Sequence, residues 1–213
     1  MHKPDFPGGR QRSSIPAYLG KKLNHESDFV YLPQGTEVYI THGAEDYFEP
    51  AIQVLHNDGN PSLLLKYVEH SSSRQNDGSV ETVITLKDDK YPVTVKLHYI
   101  TYAAENIIKT FTEINHQEKK PIVLSKYASS MLHFNRDKYF LTEFSGDWAH
   151  EVNIAERELA FGKKTIDTKL GARANMFVSP FFQLSLGAPS EENSGEVLVG
   201  TLGWTCLLYT SDA

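Results

Sequence analysis

The chain has 213 residues, 40% of them hydrophobic and 23% charged, with a formal net charge of −6. Those values describe one globular domain with a sizeable core and exclude intrinsic disorder. Lys and Arg are scattered singly, so no basic stripe follows a phosphate backbone, and no apolar run approaches the roughly eighteen residues of a spanning helix. Neither nucleic acid nor a membrane is expected as a partner.

The first residues, MHKPDFPGGRQRSSIPA, lack the apolar segment of a signal peptide, and the spacing of Pro4, Pro7, Gly8, Gly9 and Pro16 makes a poor strand. From Asp28 to Thr205 the rhythm is period two, with about ten strand candidates at the spacing of an all-β sandwich or barrel. The polar turn His56 to Asn60, carrying Asp58-Gly59, predicts a hairpin between its flanking runs. Ser71 to Gly78, SSSRQNDG, reads as a loop. SVETVITLK puts Val80, Thr82, Ile84 and Leu86 on one face; YPVTVKLHY does the same with Val93, Val95, Leu97 and Tyr99, and Asp88-Asp89-Lys90 joins the two as a hairpin. NHQEKK, from Asn115 to Lys120, predicts a further hairpin between AENIIKTFTEI and PIVLSKYASSML.

In DWAHEVNIAEREL, Trp148, Val152, Ala155 and Leu159 fall at helical spacing, while Val152 and Ile154 alternate as a strand would. The strand-rich context favours strand. Gly195 to Thr205, GEVLVGTLGWT, reads as a buried strand bounded by glycines. With no repeat and no linker, the pattern is that of one antiparallel domain.

Few motifs carry chemistry. The nine histidines are dispersed, and His150-Glu151 has Ile154 where a zinc protease needs its second histidine, so no metal is expected. Gly195, Gly200 and Gly203 are followed by no Lys-Ser or Lys-Thr and read as strand-end and close-packing glycines. No nucleophile elbow occurs, and no cofactor motif is present. Asp46, Asp147 and Glu151 are the carboxylates that could pair for acid and base work, against a background of ordinary acidic surface. Tyr39, Tyr47, Phe48 and Trp148 are candidates for stacking on sugar rings. Core is the simpler reading for most of them, and Trp148 is set apart by its Gly-Asp turn.

The order HGAEDYFEPAIQV, YAAENIIKTFTEINH, LTEFSGDWAHEVN, KLGARANMFVSPFFQLSL and GEVLVGTLGWT resembles the N-terminal domain of glycoside hydrolase family 36 α-galactosidases. The residues that carry the resemblance are Asp46, Pro50, Gly146, Trp148, Glu151, Gly171, Arg173, Pro180 and Trp204. It implies an antiparallel β-supersandwich of two packed sheets over residues 18–205, and strand and loop over 147–159. It implies a parent enzyme that removes terminal α-galactose from raffinose- or melibiose-type oligosaccharides with two aspartates of a separate (β/α)8 barrel. Such a barrel takes about 250 residues, so the barrel is a partner from outside this chain and no catalytic residue is assigned here. Some family members are tetramers in which a neighbour's N-terminal domain edges the active site; Asp147 and Trp148 are the candidates for touching substrate in that way.

The resemblance also implies departures at both ends. Residues 1–17 read as truncated or replaced, because family members carry strands there. After Thr205 the chain continues CLLYTSDA, which back-translates to TGT CTC TTA TAC ACA TCT GAC GC and resembles a transposase adaptor used in sequencing libraries. Residues 206–213 are therefore expected to be an artefact tail, leaving the sandwich incomplete and the chain alone inactive. The parent is expected to be soluble, homo-oligomeric, free of cofactors, and cytoplasmic or exported. Two rival readings stand beside this one: a stand-alone sandwich that binds carbohydrate through aromatics such as Trp148, and the N-terminal domain of a raffinose-synthase-like transferase.

Overall fold

The computed structural model describes residues 38–43, 49–134, 136–160, 162–167 and 177–203. The regular structure among these residues is all β and antiparallel: β1 (Ile52–Leu55), β2 (Leu65–Arg74), β3 (Val80–Asp88), β4 (Val93–Tyr102), β5 (Ile107–His116), β6 (Val123–Tyr127), β7 (Tyr139–Asp147), β8 (His150–Glu158), β9 (Val178–Leu186) and β10 (Val197–Thr201). The chain divides into two compact units, Met1–His133 and Phe134–Ala213.

In the first unit β2, β3, β4 and β5 form a meander in sequence order. The predicted faces hold: Thr82, Ile84 and Leu86 lie opposite Tyr99, Leu97 and Val95, and Val93, Val95 and Leu97 are buried. Against that face sits a two-stranded sheet of β1 and β6. Ile52 and Val54 from β1 join Tyr39, Leu63, Leu65 and the β4 residues in one core cluster. Each such side chain removed from water contributes about 1.5–3 kcal/mol, which is what holds the two sheets together as a sandwich.

Three readings of this half need correction. The Asp58-Gly59 turn forms, with His56 N–H donating to Asn60 O at 2.9 Å, but it does not join a hairpin. β1 pairs with β6, from Ile52 opposite Tyr127 to Leu55 opposite Val123, while β2 pairs with β3. The NHQEKK hairpin fails for the same reason, since β6 leaves β5 to pair with β1. A turn signal is local, whereas the choice of partner is decided by which pairing seats Ile52 and Val54 in the core. Nor is SSSR a loop: Ser71 to Arg74 continue the β2 ladder opposite Val83 to Val80, and Ser72 Oγ lies 2.9 Å from Thr82 Oγ1.

The second unit is a four-stranded sheet in the order β10-β9-β7-β8. The strand predicted at GEVLVGT forms as β10, but it is not buried: its residues alternate between exposed and half-buried. Among the described residues β10 pairs only with β9, and Val199 keeps 54% of its surface exposed. The close-packing reading holds at Gly200, where a Cβ would stand 2.4 Å from Cζ of Phe182, its cross-strand partner, while a Cβ on Gly203 would meet nothing within 4 Å. Gly200→Ala must push the ring aside and is expected to cost about 1–3 kcal/mol by overpacking. An unchanged urea midpoint in that variant would show that the ring packs loosely.

Candidate functional site

The 147–159 segment is a strand, and its predicted exposed aromatic stands at a hairpin apex. β7 and β8 meet at Asp147 opposite His150, leaving Trp148 and Ala149 as a two-residue connection. Trp148 is 89% exposed. The indole, a large apolar ring at a loop tip, is thereby left open to solvent.

The turn that carries it is held by side chains from both arms. Asp147 Oδ1 accepts the Trp148 N–H at 2.7 Å, Glu151 Oε1 accepts the Ala149 N–H at 3.2 Å, and Asn153 Nδ2 donates to His150 O at 2.9 Å. Below the turn the register breaks: Ser145 lies opposite Asn153, but Asp147 lies opposite His150, so Gly146 alone faces both Glu151 and Val152. This is a β-bulge, and glycine suits the close approach at its facing position. A Cβ on Gly146 would come within 3.1 Å of Val152 N and 3.2 Å of His150 O. On its other side Gly146 N–H donates to Phe177 O at 2.9 Å.

The backbone here is strained. Ala149, Val152 and Phe177 have φ of 61°, 56° and 70°, in the left-handed region that side chains avoid, most of all a β-branched one. Each costs about 1–3 kcal/mol, a cost that persists only where the surroundings over-determine it, as they do at functional sites.

Gly146, Trp148 and Glu151, three residues of the recognised pattern, thus have distinct tasks: close approach, display and turn support. Pro180 lies in β9 where Glu143 pairs with Phe182 but Ser145 pairs with Val178, an irregular stretch in which a missing N–H breaks no regular ladder. Pro50 is half-buried and leads into β1. Of the other aromatic candidates Tyr39 is core, its hydroxyl donating to Ala128 O at 2.9 Å. Asp46, Tyr47, Phe48, Gly171, Arg173 and Trp204 lie outside the described residues.

The carboxylates of Asp147 and Glu151 are both turned onto tip amides, an arrangement that supports the turn. Among the described residues no group of three or more His, Cys, Asp or Glu is placed to hold a metal ion, and no helix is long and apolar enough to cross a membrane.

A second polar cluster escaped the sequence reading. His56, one of the dispersed histidines, is buried and hydrogen-bonded, with Nδ1 2.6 Å from Glu118 Oε1 and Nε2 3.0 Å from Ser62 O. Tyr91 stacks on the imidazole at 3.5 Å and donates its hydroxyl to Asp58 Oδ2 at 2.9 Å. Glu118 Oε2 accepts both the backbone N–H and the side-chain amide of Asn57, at 3.1 and 2.5 Å. No sequence signal links positions so far apart.

Residues 10–206 match the sequence model of the glycosyl hydrolase family 36 N-terminal domain. The chain is similar to the α-galactosidase Mel36A of Lactobacillus acidophilus, at 21% identity over an alignment of 185 residues that covers 80% of this chain and 24% of the relative. Among solved structures it is similar to the family 36 α-galactosidase AgaB of Geobacillus stearothermophilus, at 23% identity and a TM-score of 0.72, covering 88% of this chain and 27% of that one. A variant of AgaA from the same organism, solved in complex with stachyose, also gives a TM-score of 0.72, at 22% identity over 82% of this chain and 26% of that one. The chain thus spans about a quarter of the length of these proteins. With a family match over nearly its whole length, and an all-β fold shared with solved members, the chain belongs to glycosyl hydrolase family 36 and carries that family's N-terminal domain.

Proposed function

We propose that this chain is the non-catalytic N-terminal domain of a retaining α-galactosidase that hydrolyses terminal α-galactosides of the raffinose and melibiose type. The observation that carries the reading is the family match over residues 10–206, joined to relatives named α-galactosidases of which this chain covers about a quarter. A retaining glycosidase needs two carboxyl groups about 5–5.5 Å apart across the scissile bond, one as nucleophile and one as acid and base. In this reading both belong to a (β/α)8 barrel that follows residues 18–205, with residues 206–213 foreign to the protein. The engagement of Asp147 and Glu151 by tip amides favours a supporting role over catalysis.

In the same reading the parent is a homo-oligomer, and Trp148, with Asp147 beneath it, reaches the sugar bound by a neighbouring subunit. An exposed indole suits the apolar face of a pyranose ring. The test is turnover of p-nitrophenyl α-galactoside. The purified chain is expected to be inactive, and its fusion to a family 36 barrel active; turnover by the chain alone overturns the proposal. The exposure of Trp148 also favours one rival, a stand-alone carbohydrate-binding sandwich. A saturable change in tryptophan fluorescence on adding galactose to this chain would move the conclusion to that rival.

A further inference from the structure

We infer that Glu151 is a positioning residue for Trp148. The inference rests on the reading of Trp148 as a sugar contact and names the group that makes the contact possible. A two-residue hairpin connection ordinarily uses Asn or Gly where φ is positive; here Ala149 takes φ 61° without either. The conformation needs outside support, and Glu151 supplies it by accepting the Ala149 N–H at 3.2 Å. Glu151 can do so because the bulge opposite Gly146 places an extra residue on the β8 arm, which brings position 151 back toward the turn. The strain at Val152 and Phe177 lies on either side of Gly146 and is part of the same device. The tip is therefore a pre-organised mount. An indole on a loose tip would lose conformational freedom on meeting a sugar, and one on a fixed tip does not.

The test is backbone ordering at the tip, read from amide order parameters of Trp148 and Ala149 in the full chain. The chain itself and Glu151→Gln, which keeps an acceptor oxygen, are expected near the rigid value of about 0.85, and Glu151→Ala below about 0.6, with unfolding midpoints unchanged. Ala149→Gly, which removes the need for a fixed φ, is expected to loosen the tip as Glu151→Ala does. Equal order in all four proteins, or Glu151→Gln as loose as Glu151→Ala, overturns the assignment. The sugar reading fails separately: an unchanged KM in Trp148→Ala of the assembled α-galactosidase would sink it and leave the ordering result standing.

Discussion

Glu118→Ala is expected to lower the unfolding free energy by about 3–5 kcal/mol, the usual consequence of removing one partner from a buried ion pair. Ser62 O can only accept, so Nε2 of His56 donates to it; an ionised Glu118 can only accept, so Nδ1 donates as well. Truncating Glu118 strands that ring in a site where its side chain and that of Glu118 are 0% and 2% exposed. It also frees the Asn57 amides, and so unties the turn after β1 from the connection between β5 and β6. A urea midpoint lowered at constant slope is the expected result, and a loss below about 1 kcal/mol would show that the pair behaves like a surface bridge.

Acid should act through the same group. Burial pushes the Glu118 carboxyl up, but hydrogen bonds from His56 and Asn57 and the charges of His56 and His116 outweigh it and hold the carboxyl below its ordinary 4.5. A carboxyl depressed by folding contributes stability that is complete above its unfolded value and lost as the pH falls through the folded one. All the contacts that Glu118 makes are with donors, so a proton placed on it finds no acceptor there. Unfolding measured at about pH 6 and about pH 3 should therefore show a steeper acid loss in the chain than in Glu118→Gln. Equal losses would remove Glu118 from the acid response.

Ile52→Ala is expected to cost about 2–5 kcal/mol, because Ile52 is fully buried and belongs to the core cluster shared by the two sheets of the first unit. The cavity would open beneath β1, a four-residue strand paired by β6 on one side and, at Ile52, by the single bridge to Thr41 on the other. Hydrogen exchange in Ile52 to Leu55 should rise more than exchange in β3 and β4. A cost below about 1 kcal/mol would mean that the β1–β6 sheet contributes little to the fold.

What the sequence made legible follows from the range of each signal. The alternation in SVETVITLK and YPVTVKLHY is a property of each strand, so the shared face of Ile84, Leu86, Val95 and Leu97 could be read directly. The pairing of β1 with β6 spans about seventy residues and depends on which partner completes the core, so the turn chemistry at Asp58-Gly59 pointed to the wrong neighbour. Ser71 to Arg74 carry no apolar alternation, yet the β3 ladder carries β2 through them. Asp88 passed for part of a polar connection, although it is buried, accepting the N–H groups of Leu64, Lys90 and Tyr91. At the candidate site the Gly-Asp turn flagged Trp148. The positive φ of Val152 was invisible, since no residue type is a poorer advertisement for it than valine.

Whether this chain is the N-terminal part of an α-galactosidase can be decided by a long read of the source DNA across codon 205. The frame is expected to continue past Trp204-Thr205 into further strands and a (β/α)8 barrel carrying two catalytic aspartates. A genomic sequence that encodes CLLYTSDA in frame and then stops would contradict it and leave a stand-alone sandwich with an exposed tryptophan.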